Sequence, residues 1–358
     1  MYRTMGTDRQ IDASTLEGFF PEAQQLMLDD RNRNFRVICL TTELEWDDFV
    51  TRFKARFDVE EQGDFYELHD TYRKHNKRFD VYLYLFRHPA TGSPTFLTLN
   101  SHDGFHRTAD KIIRDSEGIY SMWFPPESMA LLKGRILEEE GSKLVAFEGK
   151  KFGREQKYEE ERRPGTRREG EYRAPDAATT LEERKKEYGI TPTHLYFEWP
   201  TKGDFHFRDE GEFVLTRGDP DFFFNDVVTP GLEEVEPLNT AIKSSELHIV
   251  ERQGVQQIEK ETLEIELDSP LEYNEVGDLI GNMKDDGFYP YSYQAAEGSL
   301  LLNGRIVDEA SGGMISLSTD GEILSVLPRY ESGFDSLLRF YRFVVEQVDA
   351  DATVKGVS

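Results

Sequence analysis

From Thr262 to Leu267 the sequence reads Thr-Leu-Glu-Ile-Glu-Leu, with Leu263, Ile265 and Leu267 alternating against Glu264 and Glu266. A period of two sends the apolar side chains to one face of a strand and the carboxylates to the other, so this is a half-buried strand. Working outward, Tyr273 to Lys284 has helical spacing and stops at Gly287. Strands are expected next at Tyr289–Ala295, Leu300–Val307, Met314–Ser318 and Ile323–Leu327. The last two are joined through Thr319-Asp320-Gly321, because Asp-Gly favours a tight hairpin turn. Phe334, Leu337, Leu338, Tyr341, Val344, Val345 and Val348 then recur at helical spacing. They predict a closing amphipathic helix with Arg339 and Arg342 on its polar edge.

The N-terminal region follows a similar course. Arg36–Thr42 is a β-rich run, and Leu44 to Phe57 places Leu44, Phe49, Val50, Phe53 and Phe57 on one helical face. Strands are expected at Asp64–Arg73, Phe79–Phe86 and Thr95–Leu99, and helices at Phe105–Asp115 and Pro126–Glu140. Tyr120–Phe124 and Lys143–Phe147 are strand-like. The C-terminal order strand, helix, four strands, helix resembles one half of a TATA-box-binding-protein-like saddle, and equally other curved antiparallel sheets backed by helices. The resemblance lies in element order alone and implies no function.

An α+β fold follows, with two mixed modules of antiparallel sheet backed by helices and a β-rich segment between them. The expected boundaries are 1–149 for the N-terminal module and 150–190 for a charged linker or long exposed loop. A β-rich middle at 191–258 precedes the C-terminal module at 259–350 and a tail at 351–358. Within the linker, Thr180–Tyr188 reads as a helix capped by Thr179 or Thr180. Within the middle, Asp204–Arg217 reads as a hairpin, and Phe222 to Phe224 as strand residues with Phe222 and Phe224 filling a core and Phe223 partly covered.

Charge and cysteine content narrow the class of protein. The 358 residues hold 69 Asp and Glu against 43 Lys and Arg, for a net charge of −26. Arg outnumbers Lys by 27 to 16. Aromatic residues make up 12% of the chain, which excludes a disordered acidic tail. Dense carboxylates with depleted Lys fit a salt-rich, archaeal cytoplasm, where a Debye length of roughly 3 Å at 1 M salt quenches self-repulsion. The single cysteine, Cys39, rules out a disulfide framework and a thiolate zinc site. No apolar run approaches the roughly 20 residues of a membrane helix, and residues 1–17 lack a secretory signal's apolar stretch. A halophilic cytoplasmic location is therefore expected, with no membrane partner.

The charge is uneven. Residues 191–358 carry −21, whereas residues 149–190 carry +2. This island contains Lys150, Lys151, Arg154, Lys157, Arg162, Arg163, Arg167, Arg168 and Arg173, interleaved with Phe152, Tyr158 and Tyr172. Arg forks suit phosphates and aromatic rings stack on exposed bases, so the island is the first candidate for nucleic-acid contact. Interspersed glutamates also allow a solvated linker or a protein-partner surface. The second basic candidate is Arg73-Lys74-His75-Asn76-Lys77-Arg78, between two strands.

Enzyme fingerprints are sparse. The sequence has no G-x-G-x-x-G and no G-x-S-x-G, and Cys39 stands in an apolar strand that suits an inert thiol. One constellation suggests catalysis: the strand Leu144–Phe147 runs into Glu148-Gly149-Lys150. Two residues apart on a strand, Glu148 and Lys150 share a face, as a Mg²⁺-dependent nuclease requires of its metal carboxylate and its lysine. Glu127 or Asp115 would be the second carboxylate, though neither follows the order such nucleases use. His102 and His106, four apart, could share a helical face, but Ser101 or Asp103 capping a helix accounts for the segment. No cofactor and no resident metal are expected. The leading expectation is a non-enzymatic interaction protein holding a protein partner, within a nucleic-acid-handling maintenance or defence complex. A Mg²⁺-dependent nuclease and a DNA-binding regulator are the alternatives.

Overall fold

The computed structural model describes residues 10–31, 33–74, 77–99, 102–151, 169–245, 248–252, 255–259, 261–298, 300–329 and 332–357. The fold is α+β, with mixed modules built on two antiparallel sheets of eleven and six strands.

Helix α1 (Leu16–Asp29), not anticipated from the sequence, starts at Thr15, whose hydroxyl accepts the Gly18 N–H at 3.2 Å. It is followed by β1 (Phe35–Thr42), α2 (Trp46–Lys54), β2 (Asp58–Gln62), β3 (Phe65–Lys74), β4 (Lys77–Arg87) and β5 (Pro94–Thr98). The expected helix at Phe105–Asp115 is two short ones, α3 (His102–Arg107) and α4 (Ala109–Asp115). Between them the buried Thr108 donates its hydroxyl to the Gly104 carbonyl at 2.7 Å, a local bond that competes with a continuous helix. The five strands lie in the order β2-β3-β4-β5-β1, and β6 (Ile119–Ser121) pairs with the end of β1.

The same sheet continues past β1. After α5 (Pro126–Glu138) come β7 (Lys143–Lys151), β8 (Glu169–Arg173), α6 (Ala177–Tyr188), β9 (Ile190–Trp199), β10 (Gly203–Arg208) and β11 (Glu212–Gly218). Their order from β1 outward is β11-β10-β9-β7-β8. Asp176, not Thr179 or Thr180, is the N-cap of α6. Phe222 to Phe224 are helical rather than extended. Asp219 accepts the Asp221 N–H at 3.0 Å and Pro220 stands at the first helical position, two start signals that outweigh the aromatic β propensity. The resulting α7 (Pro220–Phe223) passes through a π-turn at Phe224–Val228 into α8 (Thr229–Ser244). Phe224 is buried as expected, but the helical period also buries Phe223 and leaves Phe222 partly covered, the reverse of what a strand would give.

A hairpin of β12 (His248–Arg252) and β13 (Val255–Glu259) precedes the second sheet. This runs through β14 (Leu263–Glu266), α9 (Val276–Asp285), β15 (Phe288–Ala295), β16 (Leu302–Asp308), β17 (Met314–Thr319), β18 (Ile323–Pro328), α10 (Phe334–Phe343) and β19 (Thr353–Val354). A π-turn, Val344–Val348, prolongs α10. The strand order is β15-β16-β17-β18-β14-β19. The Asp320-Gly321 turn forms as predicted. Gly321 adopts φ +107°, and an added Cβ would stand 2.7 Å from the Leu271 carbonyl oxygen, so only glycine fits.

Three apolar cores hold these layers. One lies between the large sheet and α1, α5, α6 and α7–α8, and a second between β1–β5 and α2–α4. The third lies between the six-stranded sheet and α9 and α10. Cys39 is fully buried and its thiol pKa is pushed well up by burial, the signature of an inert core thiol. No helix among the described residues is long and apolar enough to cross a membrane.

Candidate functional site

Beyond β1 the two faces of the large sheet differ. Leu195 and Phe197 on β9, Phe205 and Phe207 on β10, and Phe213 and Leu215 on β11 alternate into the first core. Strand period sends the intervening His194, Tyr196, His206, Arg208 and Glu212 to the opposite face. Pairing register then makes neighbours of them: Glu148 stands opposite His194, and Tyr196 opposite His206.

These side chains form one hydrogen-bonded chain. His194 Nδ1 lies 3.1 Å from Glu148 Oε1, and its Nε2 lies 2.7 Å from His206 Nδ1. Tyr196 donates its hydroxyl to the same Glu148 oxygen at 2.8 Å. Burial holds the His194 imidazole down at about 3, helped by the positive Arg208. Burial also holds His206 at about 3, with His194 adding to the effect. Both rings are therefore neutral at pH 7. One consistent tautomer has His206 Nδ1–H donating to His194 Nε2 and His194 Nδ1–H donating to Glu148.

A cleft of about 550 Å³ opens beside this chain. Its walls are Glu148 to Lys150 of β7, Thr193 and His194 of β9, the Arg208–Glu210 turn and Arg342 of α10. It thus lies where the last helix of the C-terminal module meets the end of the large sheet. Glu346 ties the two together: it accepts from Arg342 Nε at 2.7 Å and pairs with Lys150 Nζ at 3.0 Å. Burial works against the Glu346 carboxylate, but Arg342 and Lys150 outweigh it and hold the carboxyl below its ordinary value. Arg342 also lies over the Trp123 ring at 5.6 Å. Asp209, buried at the floor, is pushed up to about 6 by burial, against the pull of Arg342 and Lys150. The cleft therefore offers donors and acceptors of both signs around a neutral imidazole pair.

The predicted site residues separate into groups. Glu148 and Lys150 line the cleft together. Glu127 does not line it; it occupies the first turn of α5, where its charge acts on Glu234 and Tyr341. Among the described residues no group of three or more His, Cys, Asp or Glu could hold a metal ion. Lys151 ends β7 and the exposed Arg173 ends β8. Arg154, Arg162, Arg163, Arg167 and Arg168 lie outside the described residues. Arg73 and Arg78 are exposed and face each other across β3 and β4, with Lys74 opposite Lys77 at the tip. Every neighbouring strand pair between β3 and β7 is antiparallel, so the C-terminal ends of β3 and β7, next to the two basic segments, lie at opposite ends of the sheet. His106 is engaged by Asp110 at 2.6 Å.

His194, His206, Arg208, Asp209 and Arg342 were not singled out as site residues from the sequence. The Phe205-His206-Phe207-Arg208 alternation did signal a two-faced strand, but only the register shows which polar side chains meet. Arg339 and Arg342 are more than a polar helix edge, since Arg339 pairs with the fully buried Asp308 at 2.9 Å and Arg342 lines the cleft.

Residues 127–210 match the AF_0896_M family middle domain. The matched stretch runs from α5 to the turn after β10, and so contains Glu148, Lys150, His194, His206, Arg208 and Asp209 but not Arg342 or Glu346. A search of curated proteins finds no match.

Proposed function

We propose that this chain is a non-enzymatic interaction protein of a halophilic archaeal cytoplasm, holding a protein partner within a nucleic-acid-handling complex of the maintenance or defence type. The observation that carries this reading is the pairing of β7 with β8 at the edge of the large sheet. Lys150 stands opposite Glu169, so both ends of the arginine-rich run are fixed as strand neighbours. Beside that edge lies a cleft in which Lys150 is joined by Arg208 and Arg342. In a chain of net charge −26, such a concentration directs anionic groups to one place.

The test is a pull-down from native cells lysed in molar KCl, read for protein and nucleic acid together. A stoichiometric protein partner, lost when Arg162, Arg163, Arg167 and Arg168 become Ala, is the expected result. Failure to retain any partner would overturn the proposal. A second reading, a Mg²⁺-dependent nuclease, is favoured by the presence of Glu148 and Lys150 in one cleft. Cleavage of DNA or RNA with Mg²⁺ or Mn²⁺ in molar KCl, abolished by Lys150→Ala, would replace the interaction reading with that one.

A further inference from the structure

Carboxylates account for 69 of the 358 residues, yet the four consecutive strands β15 to β18 contain one, Asp308. That one is fully buried and paired with Arg339. The inner face of these strands packs on α9 and α10 through Ile306, Ile315, Leu317 and Val326. The outer face carries Tyr289, Arg305, Ser316, Ser318 and, just past β18, Arg329. Arg329 Nε donates to Ser316 Oγ at 2.8 Å, which lays its guanidinium along this face. A bulge between Pro290 and Ser292 frees Tyr291 from the ladder, and its hydroxyl reaches Met314 Sδ at 3.5 Å on the same side. Tyr289 is 44% and Tyr291 52% exposed, among the few large aromatic side chains so open among the described residues. Glu264 and Glu266 lie beyond β18, on β14, and Glu264 is paired with Lys355.

We propose that the outer face of β15 to β18 binds single-stranded nucleic acid, with bases stacked on Tyr289 and Tyr291 and phosphates met by Arg305 and Arg329. The charge of the face selects an anion, because its strand residues bear positive charge only, in a chain of net charge −26. The tyrosines select exposed bases: a ring on a flat sheet stacks on a splayed base, whereas the bases of a duplex are stacked on one another. Stacking also tolerates salt, while phosphate contacts weaken with it. This surface belongs to the C-terminal module and does not depend on the arginine-rich run of the sequence.

The experiment is fluorescence anisotropy of short labelled oligo(dT) and oligo(U) in molar KCl, with sedimentation of the same samples. The expected result is binding of the intact chain. Tyr289→Ala and Tyr291→Ala should each weaken it about tenfold, the scale of one base–aromatic stack. Tyr291→Phe should retain it, and so should the quadruple alanine variant of Arg162, Arg163, Arg167 and Arg168. Absence of binding, tyrosine variants equal to the parent, or equal competition by duplex would overturn the proposal. So would loss of binding in the quadruple alanine variant alone, which would move the nucleic-acid contact to that run. A dimer of the parent that dissociates in Tyr289→Ala, with no change in oligonucleotide affinity, would instead make this face an interface between copies.

Discussion

The junction between the two modules can be tested at Glu346. Its carboxylate serves Arg342 and Lys150 at once, at 2.7 and 3.0 Å, and the three side chains are 19%, 36% and 17% exposed respectively. Removing one partner of a fully buried pair costs about 3–5 kcal/mol, while exposed pairs contribute about 0–1 kcal/mol. This triad lies between those limits, and Glu346→Gln, which keeps the shape and removes the charge, should destabilise the chain by about 2 kcal/mol. A double-mutant cycle with Lys150→Met isolates the pair itself, and a coupling of about 1 kcal/mol is expected. The measurement is thermal unfolding in molar KCl, where the Debye length is about 3 Å and open surface pairs are screened. Arg217 and Asp204, 2.9 Å apart with Arg217 71% exposed, supply the control, whose coupling should vanish in that salt. If Glu346→Gln and Lys150→Met prove additive within about 0.3 kcal/mol, the junction is solvated and the reasoning fails.

Acid should weaken the fold through the imidazole pair. His194 and His206 are held at about 3 against an ordinary 6.5, so between those values the unfolded chain binds protons that the native one refuses. Stability should fall through this window by up to about 1.4 kcal/mol per pH unit for each ring. Asp209, raised to about 6, opposes this between pH 6 and 3.8, so the diagnostic is the difference between parent and a His194→Gln, His206→Gln variant. The variant should show the shallower pH dependence in urea titrations; an unchanged slope would mean that the rings are not buried neutral. Gly321→Ala should cost about 1–3 kcal/mol, because φ +107° and the Leu271 carbonyl both reject a Cβ, and the loss is read as a lowered midpoint of unfolding. Glu43 accepts the Phe334 N–H at 2.9 Å and the Tyr120 hydroxyl at 2.6 Å, capping α10 from the other module. Glu43→Ala should therefore lose about 1 kcal/mol, measured by the same unfolding.

Where local pattern decides the structure, the sequence was legible. Leu263 to Leu267 alternates, Thr319 to Gly321 turns, and Phe334 to Val348 repeats at helical spacing, and all three formed as expected. Phe222 to Phe224 were misread because three aromatics in a row suit a strand by propensity, while the Asp219-Pro220 start signal acts from outside the run. The site was half legible. Glu148 and Lys150 share a strand face by spacing alone, so their presence in one cleft needed no tertiary information. His194 and His206 are twelve residues apart on separate strands, and only a register that sets Tyr196 opposite His206 brings the rings to 4.7 Å between centroids. Arg342 lies farther still, and its arrival depends on how α10 docks against Trp123.

The two modules repeat one strand order, and the position of the cleft follows from how each treats the same edge. In the N-terminal module the order is β2-β3-β4-β5-β1; in the C-terminal module it is β15-β16-β17-β18-β14. β1 and β14 are therefore equivalent, and each would leave an unpaired edge open to association. β14 is closed by the two residues of β19, which ends that sheet. β1 is instead joined by β11, and the sheet runs on through β10, β9, β7 and β8. Helices α2 to α4 cover β1–β5 on one face, whereas the added strands bury their aromatics on the opposite face and turn His194, Tyr196, His206 and Arg208 outward. The cleft thus arises where the strands that the first module has and the second lacks meet Arg342 of the second module. The residues that match the AF_0896_M middle domain lie in that extension, with the elements that lead into it. Substitutions there should alter the site while leaving the strand order of both repeated modules intact.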